Sequence, residues 1–154
     1  SKSLASIGGF VAGDYPVINY IRHNARTNIF SASITPAATA AASAALDILK
    51  SEPERVKRLW ELTYYAINQF KANGFELGPT ETPIMPLYVR DNEKTFLVTK
   101  MLFEDGIFVN PVVSPAVSPG DTLIRYSLMA THTKEQIDYS IEHITKAFKK
   151  LDLL

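Results

Sequence analysis

The chain contains no cysteine among its 154 residues, and this absence excludes several kinds of chemistry. A disulfide framework, a thiolate nucleophile and a Cys-ligated zinc or iron–sulfur site all require that residue. The charges show no excess of one sign either, because sixteen Lys and Arg balance sixteen Asp and Glu. A domain that binds nucleic acid through its phosphates normally carries a basic excess. We therefore expect no nucleic-acid partner.

Long apolar runs and closely spaced metal ligands are missing too. No run reaches the roughly 18 apolar residues of a membrane span, and the first residues lack the apolar stretch of a signal peptide. The three histidines, His23, His132 and His143, have no metal-ligand spacing to one another or to a carboxylate. We expect a cytoplasmic protein without a transmembrane segment or a metal site. Because residue 1 is not Met, we also expect the chain to begin inside a longer protein.

The residues that are present change in character near residue 50. Residues 1–50 are rich in Ala, Ser, Gly and Thr and hold few charges. Small residues of this kind allow backbones to approach one another or a ligand closely. We predict a short strand over 8–13, a helix that Asp14 caps, and a second helix over 36–50. A hinge near Lys50 and Pro53 is expected to divide the chain into domains 1–50 and 51–154.

After residue 50 the apolar spacing is regular and predicts the element order α-β-α-β-β-α. Ser51 with Glu54, and Thr133 with Gln136, match the capping-box pattern of a helix start. Strands are predicted at residues 84–89, 107–109 and 122–128. Three prolines predict an irregular loop over 110–121. Elements in this order form an α/β sandwich in which helices pack against a small sheet.

Two side chains are candidates for chemistry, and each has an ordinary alternative. Lys2 stands among small uncharged residues, where its amine can act as a nucleophile, but a lysine near a chain end is commonly a solvated surface residue. Strand alternation places Arg125 on one face with Leu123 and Ser127. Its planar guanidinium suits a carboxylate, unless it only reaches solvent at the sheet edge. The two residues by themselves leave both alternatives open.

Four segments, taken in order, resemble the C-terminal part of the α-oxoamine synthases, fold-type-I enzymes that depend on pyridoxal 5′-phosphate (PLP). The first is a Ser-Lys followed by small residues and Gly-Gly, which is the cofactor-lysine signature of that family. The second is a Phe-Ser segment before a Pro-Ala helix start. The third is a Gly-Ile-Phe-Val segment with a proline loop, and the fourth is an arginine strand that ends in His-Thr. These segments occupy residues 1–10, 29–37, 106–119 and 123–133.

The resemblance implies roles for individual residues. Lys2 matches the lysine that binds PLP covalently and then moves protons at the substrate Cα. Ser31 matches a position near the cofactor phosphate of the neighbouring subunit, which implies a homodimer with shared active sites. Arg125 matches the residue that pairs with the amino-acid carboxylate. Apolar residues in the loop over 112–119 predict a mobile lid at the acyl-chain entrance, formed by Val113, Ser114, Pro115, Ala116 and Val117.

The proline loop and the arginine strand are most similar to the family members that condense L-serine with a long-chain acyl-CoA. The implied reaction is decarboxylating and yields 3-ketodihydrosphingosine, CoA and CO₂. Family members are much longer than this chain. The resemblance therefore implies that residues 1–50 end the large PLP-binding domain, that 51–154 form the small C-terminal α/β domain, and that the piece alone is inactive.

Two alternatives remain open. Another family member would use glycine, as glycine C-acetyltransferase (2-amino-3-ketobutyrate CoA ligase) does, or alanine, as 8-amino-7-oxononanoate synthase does. A non-catalytic folding or dimerisation module would keep the shape of the family without its cofactor.

Overall fold

The computed structural model describes residues 2–154. Ser1, the first residue of the predicted lysine signature, lies outside the described residues. The chain divides into two compact units, the first of which ends at Pro53, while the second runs from Glu54 to Leu154.

The first unit consists of three helices and extended segments. Its helices are α1 (Tyr15–Asn24), α2 (Arg26–Ile29) and α3 (Pro36–Ser51). The Thr35 side chain caps α3 by accepting a hydrogen bond from the Ala38 N–H. The strand predicted over 8–13 is wrong, because the described part of this unit contains no strand with which that extended segment could pair. A strand requires a hydrogen-bonded neighbour, and apolar residues between glycines do not provide one.

None of the described residues of the first unit is buried. Large apolar side chains remain open to solvent, and the most exposed are Ile7, Phe10, Tyr15 and Phe30, each at 72% or more. A folded domain normally covers such side chains in a core of its own, because apolar area left in water costs about 25 cal/mol per Å². The described residues of the first unit therefore form no buried core of their own.

The second unit has the predicted element order. Its elements are α4 (Glu54–Ala72), β1 (Ile84–Tyr88), α5 (Asn92–Glu104), β2 (Asn110–Val112), β3 (Leu123–Ser127) and α6 (Lys134–Lys150). The three strands form an antiparallel sheet in the order β1-β3-β2, so β3 is central. The α/β architecture with helices against a small sheet is confirmed.

One predicted strand is displaced along the chain. The strand expected over 107–109 is not formed; β2 begins at Asn110 instead, inside the segment predicted to be an irregular loop. Ile107 and Val109 are apolar because they are buried in the core and not because they pair in a ladder. Pro111 is tolerated in β2 because β2 is an edge strand, where a missing N–H does not interrupt the sheet.

Of the two capping boxes, one is confirmed and one is wrong. The Thr133 hydroxyl accepts from the Gln136 N–H at 3.2 Å while the Gln136 side chain accepts from the Thr133 N–H at 3.0 Å. Ser51 is instead the last residue of α3, and its hydroxyl donates to the Ile48 carbonyl. The two helices follow each other so closely that Ser51 belongs to the end of one and not to the start of the next.

Helices α4, α5 and α6 share one hydrophobic core with one face of the sheet. On β3, Ile124 and Tyr126 point into this core, whereas Arg125 and Ser127 are exposed on the other face. The predicted alternation is therefore confirmed. The largest fully buried side chains include Leu62, Phe70, Met85, Leu87, Leu102, Ile137, Ile144 and Phe148. This core holds β3 rigidly, and the strand in turn determines where Arg125 is presented.

Candidate functional site

The lysine segment forms a turn that is attached to α3. The Ala5 N–H donates to the Lys2 carbonyl at 2.9 Å, and the Lys2 residue is exposed. One turn further, the Ser6 hydroxyl donates to the Ala38 carbonyl at 2.9 Å. This hydrogen bond joins residues that are 32 positions apart. It therefore ties the segment that carries Lys2 to the first turn of α3.

A close backbone approach at Gly8 fixes the same segment a second time. Gly8 has φ +92°, and a Cβ atom placed on it would lie 2.2 Å from Ile34 Cγ2. Both the dihedral angle and the missing space exclude a larger side chain. The small residues around the predicted cofactor lysine thus serve a contact between the lysine segment and the residues that precede α3.

Ser31 is exposed and lies between α2 and α3. It lines a cavity of about 750 Å³ in the first unit, and Gly8 and Gly9 also line this cavity. The structure thereby places Ser31 in the same cavity as the glycines of the lysine signature. The lining combines small and hydroxyl-bearing residues with apolar ones such as Phe10, Ile18 and Ile34, so it offers a ligand both hydrogen bonds and apolar contact.

Arg125 is presented to solvent at the centre of the sheet. Its neighbours across the strands are Pro86 on β1 and Asn110 on β2. Arg125 Nη2 donates to Asn110 Oδ1 at 3.3 Å. The other N–H groups of the guanidinium have no protein acceptor among the hydrogen bonds of the described residues. This is the arrangement of a cation held at one corner and open to a carboxylate.

Sequence reasoning identified Arg125 but missed Asn110. The two residues are 15 positions apart, and only the pairing of β2 with β3 places them opposite each other. The sequence pattern predicts the strand over 107–109 and therefore places Asn110 in the loop. A strand predicted three residues further along the chain would have paired Asn110 with Arg125.

The loop that follows β2 contains the residues predicted to contact the acyl chain. Val112 itself belongs to β2 and pairs with Leu123, so the predicted lid is wrong at this residue. The remaining loop turns where the Ala116 N–H donates to the Val113 carbonyl at 2.9 Å. Val113 and Val117 are half-buried, while Ser114, Pro115 and Ala116 are exposed.

Titratable groups elsewhere in the second unit form a pair and not a metal site. His143 Nδ1 lies 2.9 Å from Asp105 Oδ2, and the Tyr139 ring lies against the imidazole with centroids 4.2 Å apart and ring planes tilted by 36°. Among residues 2–154, no group of three or more His, Asp or Glu side chains is placed to hold a metal ion. In the same range, no helix has the length and apolar character needed to cross a membrane.

The comparisons with known proteins agree on one family. A family model described as aminotransferase class I and II matches residues 1–144. The serine palmitoyltransferase of Bacteroides thetaiotaomicron is 66% identical over 154 residues, which are 100% of this chain and 39% of that protein. The 8-amino-7-oxononanoate synthase of Bacillus pumilus is 41% identical, again over 100% of this chain and 39% of that protein.

The fold is also that of a solved relative. The structure of serine palmitoyltransferase from S. paucimobilis with a bound PLP-myriocin aldimine has a TM-score of 0.88 and 30% sequence identity. The match covers 98% of this chain and 38% of that one. The chain therefore spans about two fifths of the length of the relatives it matches.

Proposed function

Because the chain belongs to the aminotransferase class I and II family, we propose that it is the C-terminal part of a PLP-dependent serine palmitoyltransferase. The observation that carries this proposal is the identity of 66% to a serine palmitoyltransferase, against 41% to an 8-amino-7-oxononanoate synthase over the same residues. The whole protein would condense L-serine with palmitoyl-CoA. The serine carboxylate leaves as CO₂, the thioester releases CoA, and 3-ketodihydrosphingosine is formed.

The residues of the first unit fit the cofactor. Lys2 stands on a turn that the hydrogen bond from Ser6 to Ala38 attaches to α3, and Gly8 lies against Ile34 just before α3. Ser31 lines a cavity to which Gly8 and Gly9 also contribute. A lysine on a segment held in this way, together with small residues that leave space, suits a flat, phosphate-bearing ring. In the proposal, Lys2 Nζ holds PLP covalently and later moves a proton at the substrate Cα, while Ser31 contacts the cofactor phosphate of a second subunit. When bound, PLP accepts the electron pair that develops at Cα.

The second unit would bind the substrates. Arg125 is exposed on the outward face of β3, where its guanidinium can form two parallel hydrogen bonds with the serine carboxylate. The loop residues Val113 and Val117 would contact the acyl chain. With these roles, residues 1–50 are the end of the large PLP-binding domain and 51–154 are the small domain.

The lack of buried residues in the described part of the first unit supports this division. We propose that the remainder of the large domain covers its exposed apolar side chains, and that the 154-residue piece alone is inactive. We further propose that the whole protein is a cytoplasmic homodimer.

Substrate preference in the full-length protein tests the proposal. The purified, PLP-loaded protein is given L-serine with palmitoyl-CoA, glycine with acetyl-CoA, or L-alanine with pimeloyl-CoA, and CoA release is followed for each pair. We expect turnover with serine and palmitoyl-CoA to exceed the other two. Preference for either other pair would assign the protein to a related specificity, and failure to bind PLP would support a non-catalytic module.

A further inference from the structure

We infer that Asn110 is a positioning residue that orients Arg125 for the substrate carboxylate. The inference rests on the proposed function, because it assigns a second residue to the site that would bind the amino acid. Asn110 would act through Arg125 and need not touch the substrate itself.

The register of the sheet places these two side chains together. Asn110 and Arg125 are direct partners in the β2–β3 ladder, and Arg125 Nη2 donates to Asn110 Oδ1 at 3.3 Å. On its other side Arg125 faces Pro86, whose side chain has no polar atom. Within residues 2–154, Asn110 is therefore the one side chain that the structure shows hydrogen-bonded to this guanidinium.

Orientation matters here because Arg125 is exposed. A free arginine side chain loses rotamer entropy when it is held in one geometry. A hydrogen bond at one corner removes part of that loss before the substrate arrives. The remaining N–H groups stay available, so a carboxylate can still bind to two of them in parallel.

The chemical type of the partner matters as well. An amide oxygen accepts a hydrogen bond without neutralising the guanidinium, so its positive charge remains for the substrate. A carboxylate at position 110 would hold Arg125 more strongly and would compete with the substrate carboxylate for the same cation. A neutral acceptor of the size of Asn is thus suited to orient the arginine without occupying it.

Two substitutions in the full-length, PLP-loaded protein separate this role from a structural one. Asn110→Ala removes the acceptor, and we expect the dissociation constant for L-serine to rise about 3- to 10-fold, as for the loss of one hydrogen bond. Asn110→Asp keeps the size and strengthens the link to Arg125. If Asn110 served only to stabilise the strand, the Asn110→Asp variant would bind L-serine at least as well as the Asn110→Ala variant. We expect instead that Asn110→Asp binds L-serine more weakly than Asn110→Ala does.

The measurements are the change in cofactor absorbance on adding L-serine and the heat of binding, with ethanolamine as the matched amine that lacks a carboxylate. We expect ethanolamine affinity to change less than about twofold in both variants, since no carboxylate is involved. Ser127→Ala, on the same outward face of β3, is the control substitution. Thermal unfolding of each variant checks that the fold is retained.

Arg125→Ala distinguishes failure of the inference from failure of the proposed function. If Arg125→Ala does not weaken L-serine binding relative to ethanolamine, the proposed carboxylate site is wrong. If Arg125→Ala weakens it but Asn110→Ala leaves it unchanged, or Asn110→Asp binds serine as tightly as Asn110→Ala, then the inference alone is overturned.

Discussion

Gly8 lies so close to Ile34 that a Cβ atom on Gly8 would stand 2.2 Å from Ile34 Cγ2. This approach joins the segment that carries Lys2 to the residues that precede α3. The positive φ of +92° at Gly8 adds a second constraint, because side chains other than hydrogen are strained in that conformation. The geometry of the proposed cofactor lysine therefore depends on a contact six residues away from it.

Gly8→Ala should accordingly weaken PLP binding in the full-length protein. The new methyl group overlaps Ile34, and the strained backbone costs about 1–3 kcal/mol, so the lysine segment must move. We expect an increase of several-fold in the PLP dissociation constant, measured by cofactor fluorescence. Adding Ile34→Ala should restore part of the loss, because it removes the overlap but not the backbone strain.

Gly9→Ala is the matched control for this prediction. A Cβ atom placed on Gly9 would have no heavy atom of the other described residues within 4 Å, apart from its chain neighbours. An equal loss in the Gly9 and Gly8 variants would contradict the proposed role of the Gly8–Ile34 contact.

Lys2 should carry the cofactor. Borohydride reduction of the full-length holoprotein makes the bond between lysine and PLP permanent, and peptide mapping then locates the pyridoxyl mass. We expect this mass on the peptide that contains Lys2, and no labelling of that peptide in the Lys2→Arg variant, which keeps the charge but cannot form the bond. The mass on a different lysine would refute the assignment.

Arg125 should bind the substrate carboxylate. Because a hydrogen bond to a charged group contributes about 1.5–3 kcal/mol, Arg125→Ala should raise the dissociation constant for L-serine by about 10- to 150-fold. Arg125→Lys keeps the charge without the planar guanidinium, so its dissociation constant for L-serine should lie between those of the unsubstituted protein and Arg125→Ala. If affinity for L-serine and for ethanolamine falls equally, Arg125 has a structural role only.

The loop after β2 should contact the acyl chain. Each CH₂ group that the loop covers contributes about 0.8 kcal/mol, and a carboxylate in that position would oppose the contact. The double change Val113→Asp with Val117→Asp should therefore raise KM for palmitoyl-CoA by roughly tenfold or more. KM for L-serine should change little, and short acyl-CoAs should be less affected.

Ser118→Asp adds a charge to the same loop at a residue other than Val113 and Val117, which are proposed to contact the acyl chain, and it is the control. An equal effect on acyl-CoAs of every length would show that the loop packs only on its own domain. The half-burial of Val113 and Val117 makes this comparison necessary.

A buried tyrosine should give the second unit a characteristic loss of stability at alkaline pH. Tyr126 Oη and Ser140 Oγ are 2.7 Å apart in the core. Burial raises the pKa of Tyr126 above its usual value of 10.0, although the hydrogen bond with Ser140 acts in the opposite direction. Since the folded-state pKa is the higher one, the stabilisation is fully present below about pH 10 and is lost as pH rises through the folded-state pKa.

Tyr126→Phe removes this titration. We expect the thermal midpoint of the full-length variant to fall less between pH 8 and pH 10.5 than that of the unsubstituted protein. The hydrogen bond that the Tyr65 hydroxyl donates to Asp138, together with burial, also raises the pKa of Tyr65, so part of the alkaline loss should remain in Tyr126→Phe. Identical pH dependence in the two proteins would contradict the assignment to Tyr126.

The sequence by itself determined the three helices of the second unit, the face of β3 on which Arg125 lies, and the family. Apolar periodicity predicted α4, α5 and α6 because a helix buries every third or fourth side chain, whatever it packs against. Alternation along the strand places Arg125 on the face opposite to Ile124 and Tyr126, because successive side chains of a strand point to opposite faces of the sheet. The Thr133–Gln136 capping box was also readable, because both of its hydrogen bonds lie within four residues.

Only the tertiary structure decided which distant residues meet. Buried apolar residues at Ile107 and Val109 have the composition of a strand, and only pairing with β3 shows that the strand starts at Asn110. Ser51 matched a helix start, yet it ends α3, because the position of one helix end depends on the next helix. The contacts Gly8–Ile34 and Asn110–Arg125 depend on chain reversals between their members. The local spacing of residues does not predict such reversals, because side chains that are brought together by a turn or a sheet register have no fixed separation in sequence.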